Sequence, residues 1–435
     1  MPPVQRQAIR DPSLLQRRER AVPRAAYNLT PLFMDRAQGS RLWDIDGRSY
    51  IDFTGGIGVA NVGHAHPRVV AAVQEQLRKA IHMSWHVVMH EPYLRLAERL
   101  NQMVPLPGPN KSLFFNSGAE ACENAAKIAR HVTKRPALIA FQRAFHGRTL
   151  LALSLTGKTR PYVSGFGPFV PEVYRLPFEP FFGNRAGTAA QVDQACLQAL
   201  DELFTHSVEP ETVAAVFLEP VLGEGGFYPA RPEAVRILQD TCRKHGILLV
   251  ADEIQTGFGR CGALFACQRL GLAPDLLIMA KSLAGGLPLS AVTGGSSLMD
   301  TVPAGGLGST FGGNILACAA ANAVLDIIES ENLPARARDI GRRVMGTFND
   351  LATHAPTVGN ARGLGAMCAL EIVDPGTDRP DARRTSRIIE TARDQGLLIM
   401  PASGHVICTL MPLTIRDHEL DEGLRILSSA VKQVS

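Results

Sequence analysis

The chain has 435 residues, with 45 basic and 41 acidic side chains, a formal net charge of +4 and 46% hydrophobic residues. This is the composition of a folded protein of two or three domains at roughly 150 residues each, and it excludes a disordered or fibrous chain. So small a net charge argues against nucleic-acid binding as the main activity, and no run approaches the ~18 charge-free apolar residues of a membrane span.

Toward the N-terminus, Arg6, Arg10, Arg17, Arg18, Arg20 and Arg24 face only Asp11 and Glu19. A transit peptide has such a balance; the expectation is a surface segment leading into the fold. Residues 42–53 (LWDIDGRSYIDF) predict a hairpin turning at Asp46-Gly47. After Gly63-His64-Ala65-His66-Pro67, where both histidines read as structural, Val69, Val70, Val73, Leu77 and Ile81 fall at helical spacing. His82, His86 and His90 recur every four residues, and on a helix they would share a face, as zinc ligands can. No HExxH pattern accompanies them and no metal is expected.

From about residue 111 short apolar runs alternate with helical stretches such as Glu120–His131 and Pro232–His245. The runs are SLFF (112–115), ALIAF (137–141), AAVFLEP (214–220), ILLVADE (247–253), LLIMA (276–280) and LSAVTGG (289–295). Apolar strands alternating with helices predict an α/β fold, its mostly parallel central sheet covered by helices on both faces. After a helix near 314–330 come alternation over 360–373, a helix near 383–395, a strand near 397–400 and a helix near 417–432. These make a smaller α+β domain. The expected division is a segment 1–70 packing with that domain, a large domain 71–330 and the small domain 331–435. The eight cysteines include no CxxC pair and read as reduced thiols of a cytoplasmic protein.

Ligands of open α/β sheets bind at the carboxyl ends of the strands. After SLFF stands Asn116-Ser117-Gly118-Ala119-Glu120 at the start of a helix. Its free N–H groups suit a phosphate, and a plain strand-to-helix turn reads the same way. After ALIAF stand Phe145, a ring for the core or for stacking on a planar ligand, and Arg148, an anion clamp or a solvated charge. Glu219 and Asp252 end two buried strands, where an unpartnered carboxylate is costly. Of eight lysines only Lys281 directly follows such a strand. A desolvated lysine there can act as an imine-forming nucleophile. It lies 29 residues beyond Asp252, room for a helical crossover between neighbouring strands. One carboxylate for a pyridinium nitrogen, one lysine, one phosphate cradle and one stacking ring are together what holds pyridoxal 5′-phosphate.

The chain resembles the class III aminotransferases of the pyridoxal-phosphate fold type I group, and within them the 4-aminobutyrate transaminases. The resemblance runs from about Leu14 to Val431, through RRERAVPR, FTGGIGVANVGHAHP, NSGAEACENAAKIAR, AFHGRT, FLEPVLGEGGFY, ILLVADEIQTGFGR, APDLLIMAKSLAGGLPLSAV, GGLGSTFGGN and MPLTI. It implies that Lys281 bonds the cofactor covalently and shuttles the reaction's proton, and that Asp252 keeps the pyridine nitrogen protonated. It assigns Gly118 and Ala119 to the phosphate and Thr310 to the phosphate of a partner subunit, in a homodimer or tetramer with shared active sites. By the same resemblance Phe145 and Ile254 cover the two ring faces, Gln255 bonds the 3-oxygen with Glu219 nearby, Ile57 lines the substrate entry and Arg148 holds a distal carboxylate.

One departure bears on the substrate. 4-Aminobutyrate transaminases carry an arginine just before the PLTI segment that binds an α-carboxylate, and a glutamate, here Glu224, masks it. Cys408 stands at that position, and no arginine occurs between Arg393 and Arg416. Glu224 is then expected to lack its partner, and the pocket to be neutral and thiol-lined. The resulting expectation is transfer from a primary amine or ω-amino acid to pyruvate or another non-glutamate acceptor. The alternatives are a conventional 4-aminobutyrate:2-oxoglutarate transaminase and an amino-acid racemase or epimerase of the same fold. A regulatory protein would need a DNA-binding segment, and the sequence shows none.

Overall fold

The computed structural model describes residues 12–183 and 187–434. Arg6, Arg10 and Asp11 lie outside them; Pro12–Ala21 is a helix. The predicted hairpin forms from strands Arg41–Asp44 and Ser49–Asp52. Asp44 Oδ1 accepts from the N–H groups of Asp46 and Arg48, and Gly47 takes a φ of 79°. Such a carboxylate stabilises a tight turn by satisfying its free donors.

The central sheet has seven strands, in the order Asn110–Phe115, Ser290–Gly295, Leu276–Met279, Leu248–Asp252, Val213–Leu218, Ala137–Phe141 and Val173–Leu176. Only Ser290–Gly295 runs against the others. Six of the strands are the six apolar runs of the sequence. The alternation of side chains divides two cores: Leu276 and Ile278 face the helix Gly118–Thr133, whereas Leu277 and Met279 join the core containing Ile315–Ser330. Two features of Gly118–Thr133 fix its ends. Ser117 and Glu120 make a reciprocal capping box, and Lys134 closes it in the left-handed region.

The strands bearing Asp252 and Lys281 are parallel neighbours, with Asp252 opposite Ile278. The helical crossover expected between them is instead a turn-rich loop with one four-residue helix, Cys267–Leu270. Arg260 organises this loop. Its guanidinium is fully buried and donates to the carbonyls of Met411 (2.8 Å) and Leu410 (3.1 Å) and to Asn61 Oδ1.

A second sheet orders Val358–Leu364, Met367–Ile372, Val406–Thr409 and Met400–Ala402, all antiparallel. The hairpin sheet recruits Leu397–Leu398, which pairs in parallel with Ser49–Asp52. The first and last parts of the chain therefore share a sheet. All eight cysteines are free and buried. Among the described residues no helix is long and apolar enough to cross a membrane.

The helix after Pro67 ends at Leu77. Val69 is buried, but Val70, Leu77 and Ile81 are exposed, so three of the five positions in the apolar pattern are not core. The segment from His82 to His90 is not helical, and the three histidines share no helical face.

Candidate active site

A cavity of about 450 Å³ lies at the carboxyl ends of the central strands. Into it the fold brings Lys281, Asp252, Glu219, Gly118, Ala119, Phe145, Ile254, Gln255, Arg148, Glu224 and Ile57. Thr310 is exposed elsewhere, beside the exposed Phe311, and does not line this cavity. Cys408 does not line it either. It is fully buried in an apolar cluster with Val221, Phe227 and Met367, its Sγ 3.8 Å from the carbonyl of Val406. The expected thiol-lined wall is therefore absent; burial in apolar surroundings pushes this thiol well above its ordinary range.

Lys281 takes a φ of 41° and Ile57 one of 66°. Left-handed backbone at non-glycine residues is strained, most of all for a β-branched one, and such strain persists where the surroundings over-determine it. Burial lowers the Lys281 amine below the ordinary lysine value, and Glu224, Glu219 and Asp252 only partly oppose this. A larger neutral fraction makes the amine a better nucleophile and proton acceptor.

Asp252 Oδ2 lies 2.7 Å from His146 Nδ1, and Oδ1 accepts from the N–H of Ile254 at 3.1 Å. Burial pulls the His146 imidazole down, but the hydrogen bond and charge of Asp252, with Glu219, carry it above its usual value. His146 and Asp252 thus form a buried pair in which positive charge on the imidazole is favoured. His146 is the functional residue that sequence reasoning passed over. Its signal was a histidine directly after Phe145 at a buried strand end. Glu219 accepts from the N–H groups of Phe145 (2.8 Å) and Gly223 (3.0 Å), and burial pushes its carboxyl up to about 7.

These residues fit pyridoxal phosphate on structural grounds. The first N–H groups of the helix Gly118–Thr133 are free for a phosphate. A Cβ at 118 would meet Ile254 Cδ1 at 2.8 Å, so any larger residue there would push on the Ile254 side chain that lines the cavity. Gln255 Oε1 is buried without a partner, an acceptor left for a ligand hydroxyl. Asp252 would supply an anion for a ring nitrogen, and Lys281 the amine.

On the substrate side, Arg148 is exposed and no acid pairs with it among the described residues. Its guanidinium carbon lies 4.9 Å from the Tyr162 ring centroid and 5.6 Å from that of Phe145. Glu224 is not partnerless. Tyr162 donates to its Oε2 at 2.9 Å, and Lys158 Nζ stands 4.0 Å away. Neither residue carries a sequence signal of its own, since both lie in an irregular stretch after Leu155.

The family described as Aminotransferase class-III matches residues 22–431. The chain is 46% identical over 419 residues to the 4-aminobutyrate aminotransferase GabT of Escherichia coli K12, covering 95% of this chain and 97% of that one. It is 43% identical over 425 residues to the 5-aminovalerate aminotransferase DavT of Pseudomonas putida, covering 97% and 99%. Among solved structures, an (S)-enantioselective omega-transaminase from Thermomicrobium roseum superposes with a TM-score of 0.90 at 28% identity, covering 98% of this chain and all of that one. A PLP-bound amine transaminase from an uncultivated Pseudomonas species gives 0.87 at 30% identity, covering 95% and 97%.

Proposed function

The chain belongs to the class III aminotransferases, pyridoxal-phosphate enzymes, and we propose that it moves the terminal amino group of an ω-amino acid of four or five carbons to an α-oxo acid. The observation that carries the donor is Arg148, a guanidinium with no acid paired to it among the described residues and in the same cavity as the Lys281 amine. A guanidinium holds a carboxylate in a charge-assisted, two-point contact and so selects an amine with an acid at its far end. Relatives named for 4-aminobutyrate and 5-aminovalerate support this reading. For the acceptor we propose a small α-oxo acid such as pyruvate, because position 408 presents no cation to the cavity. The eight buried free thiols support a reducing, cytoplasmic setting.

Bound pyridoxal phosphate supplies an electron sink and carries the amino group between two half-reactions. The chain's own groups do the rest. Gly118 and Ala119 offer N–H groups to the phosphate. Asp252, held by His146, keeps a proton on the ring nitrogen. Lys281 Nζ, with its lowered pKa, takes and returns the proton of the reacting carbon. Phe145 and Ile254 line the same cavity and exclude water from the ring.

Mixing the loaded enzyme with a panel of amines and following its visible band tests the donor. 4-Aminobutyrate and 5-aminovalerate are expected to bleach the band at least about ten-fold faster than alkyl amines of equal length. Equal rates would remove Arg148 from donor recognition. Amino exchange that regenerates the band with an added oxo acid separates a transaminase from an epimerase, and regeneration by 2-oxoglutarate no slower than by pyruvate would overturn the acceptor proposed.

We also propose a homodimer in which Thr310 reaches the partner's cofactor phosphate. Ile81, Val87, Met89 and Phe311 are all exposed. The His82 ring lies tilted against Phe311 at 4.8 Å between centroids, and Asn314 donates to the carbonyl of Ile81, so these segments meet at the surface. Patches of this kind mark subunit contacts. Val87→Asp with Met89→Asp is expected to shift sedimentation from dimer to monomer and to abolish most activity. A fully active monomer would contradict the shared site.

A further inference from the structure

The cavity holds two opposite charges that do not meet. Arg148 and Glu224 both line it, yet no acid pairs with Arg148 among the described residues. A guanidinium and a carboxylate in one confined space attract each other, and the two-point pair is their favoured geometry. Were these two to pair, the cation would be occupied by the protein's own acid and lost to a substrate carboxylate. One side chain touches both. The Tyr162 hydroxyl donates to Glu224 Oε2 at 2.9 Å, and the Arg148 guanidinium carbon lies over the Tyr162 ring, 4.9 Å from its centroid.

We propose that Tyr162 is a positioning residue that keeps Arg148 free for the substrate's distal carboxylate, its hydroxyl satisfying Glu224 and its ring seating the guanidinium. Tyr162 does not line the cavity itself. It is half-buried against Phe145, which does, with ring centroids 4.9 Å apart and planes inclined at 56°. Ring and hydroxyl act differently. An aromatic ring holds a guanidinium through its quadrupole and uses none of the N–H donors, so these stay available to a carboxylate. The hydroxyl gives Glu224 a neutral donor, which satisfies the carboxylate without a cation. The phenol senses both charges: burial and then Glu224 push its pKa up, and the hydrogen bond and charge of Arg148 oppose this. Lys158 Nζ, 4.0 Å from Glu224 Oε2 and 5.5 Å from the same ring, is the remaining cation beside the pair.

This inference rests on the proposed ω-amino acid donor, and its test separates the two. The probe is pentanoate, a carboxylate with no amine to react, titrated into the holoenzyme and followed by calorimetry. Tyr162→Leu removes both contacts and is expected to weaken pentanoate binding by at least about ten-fold. Tyr162→Phe keeps the ring but leaves Glu224 without its hydroxyl partner, and should fall between the native enzyme and Tyr162→Leu. With Glu224→Gln already in place there is no carboxylate to pair with Arg148, so adding Tyr162→Leu should cost less than about three-fold. KM for 4-aminobutyrate should follow the same pattern, whereas the half-reaction of butylamine, which carries no carboxylate, should change by less than about two-fold. An equal loss with and without Glu224→Gln, or an equal loss for butylamine, would show that Tyr162 acts only on the local structure and would overturn the role. So would unchanged binding in Tyr162→Leu, with Glu224 settling on Lys158 instead. If the native enzyme binds no pentanoate, Arg148 is not free and the role falls too. If pentanoate binds as expected but 4-aminobutyrate reacts no faster than butylamine, the donor assignment alone falls.

Discussion

Lys281→Ala is expected to lose turnover by at least about 10³-fold, because in the proposed mechanism one side chain would supply both the covalent attachment and the proton carrier. The loss should be in kcat. The phosphate cradle at Gly118 and Ala119 and the Asp252–His146 pair remain in place, so the variant should still bind cofactor, non-covalently. Borohydride treatment distinguishes the cases. In the native enzyme it should fix the cofactor onto the peptide carrying Lys281, and in the variant it should fix none. Labelling of any of the other seven lysines would sink the assignment. The direction of the Lys281 shift adds a pH dependence. A lowered pKa leaves more neutral amine near pH 7 than an ordinary lysine has, so attachment should remain fast where a surface lysine would be almost wholly protonated.

Asp252→Asn is expected to cost about two to four orders of magnitude in kcat while retaining cofactor. The amide cannot stabilise positive charge on a ring nitrogen. It also removes the negative charge that helps lift His146 above its usual value, so burial then weighs toward the neutral imidazole. Relative to the native enzyme, the His146 ring resonances should therefore shift toward those of the neutral imidazole. A rate near that of the native enzyme would show that Asp252 does not face the ring nitrogen.

The parts of this fold that were legible in the sequence are those whose residues are buried on both faces. Six central strands announce themselves as uninterrupted apolar runs, and the helices Gly118–Thr133 and Pro232–His245 carry caps, periodicity and, in the second, a closing Gly246. The seventh strand, Val173–Leu176, did not show. It is a short edge strand that keeps Arg175 exposed and buries only Leu176. The loop between Asp252 and Lys281 was read as a helical crossover because its length allowed one. Its order comes instead from Arg260, whose partners lie about 150 to 200 positions away in the chain. In the site, residues at strand ends were found from the sheet alone. Cys408 was read by its position in a motif, which fixes the strand but not the direction of the side chain. Tyr162 and Lys158 reach Glu224 from an irregular segment, where no periodicity says which side chains point inward.

Arg260 also limits how this molecule can move. Its guanidinium joins the loop after Asp252 to Asn61 in the first part of the chain and to Leu410 and Met411 beside the second sheet, all without contact with solvent. Rotating the second sheet as a rigid body against the central one would tear a desolvated cation from its acceptors, at a cost of several kcal/mol. Hinged clamshell closure over the substrate is thereby opposed. If the second sheet does not rotate, admission and release are left to side chains of the cavity that solvent already reaches, such as Ile57 and Arg148.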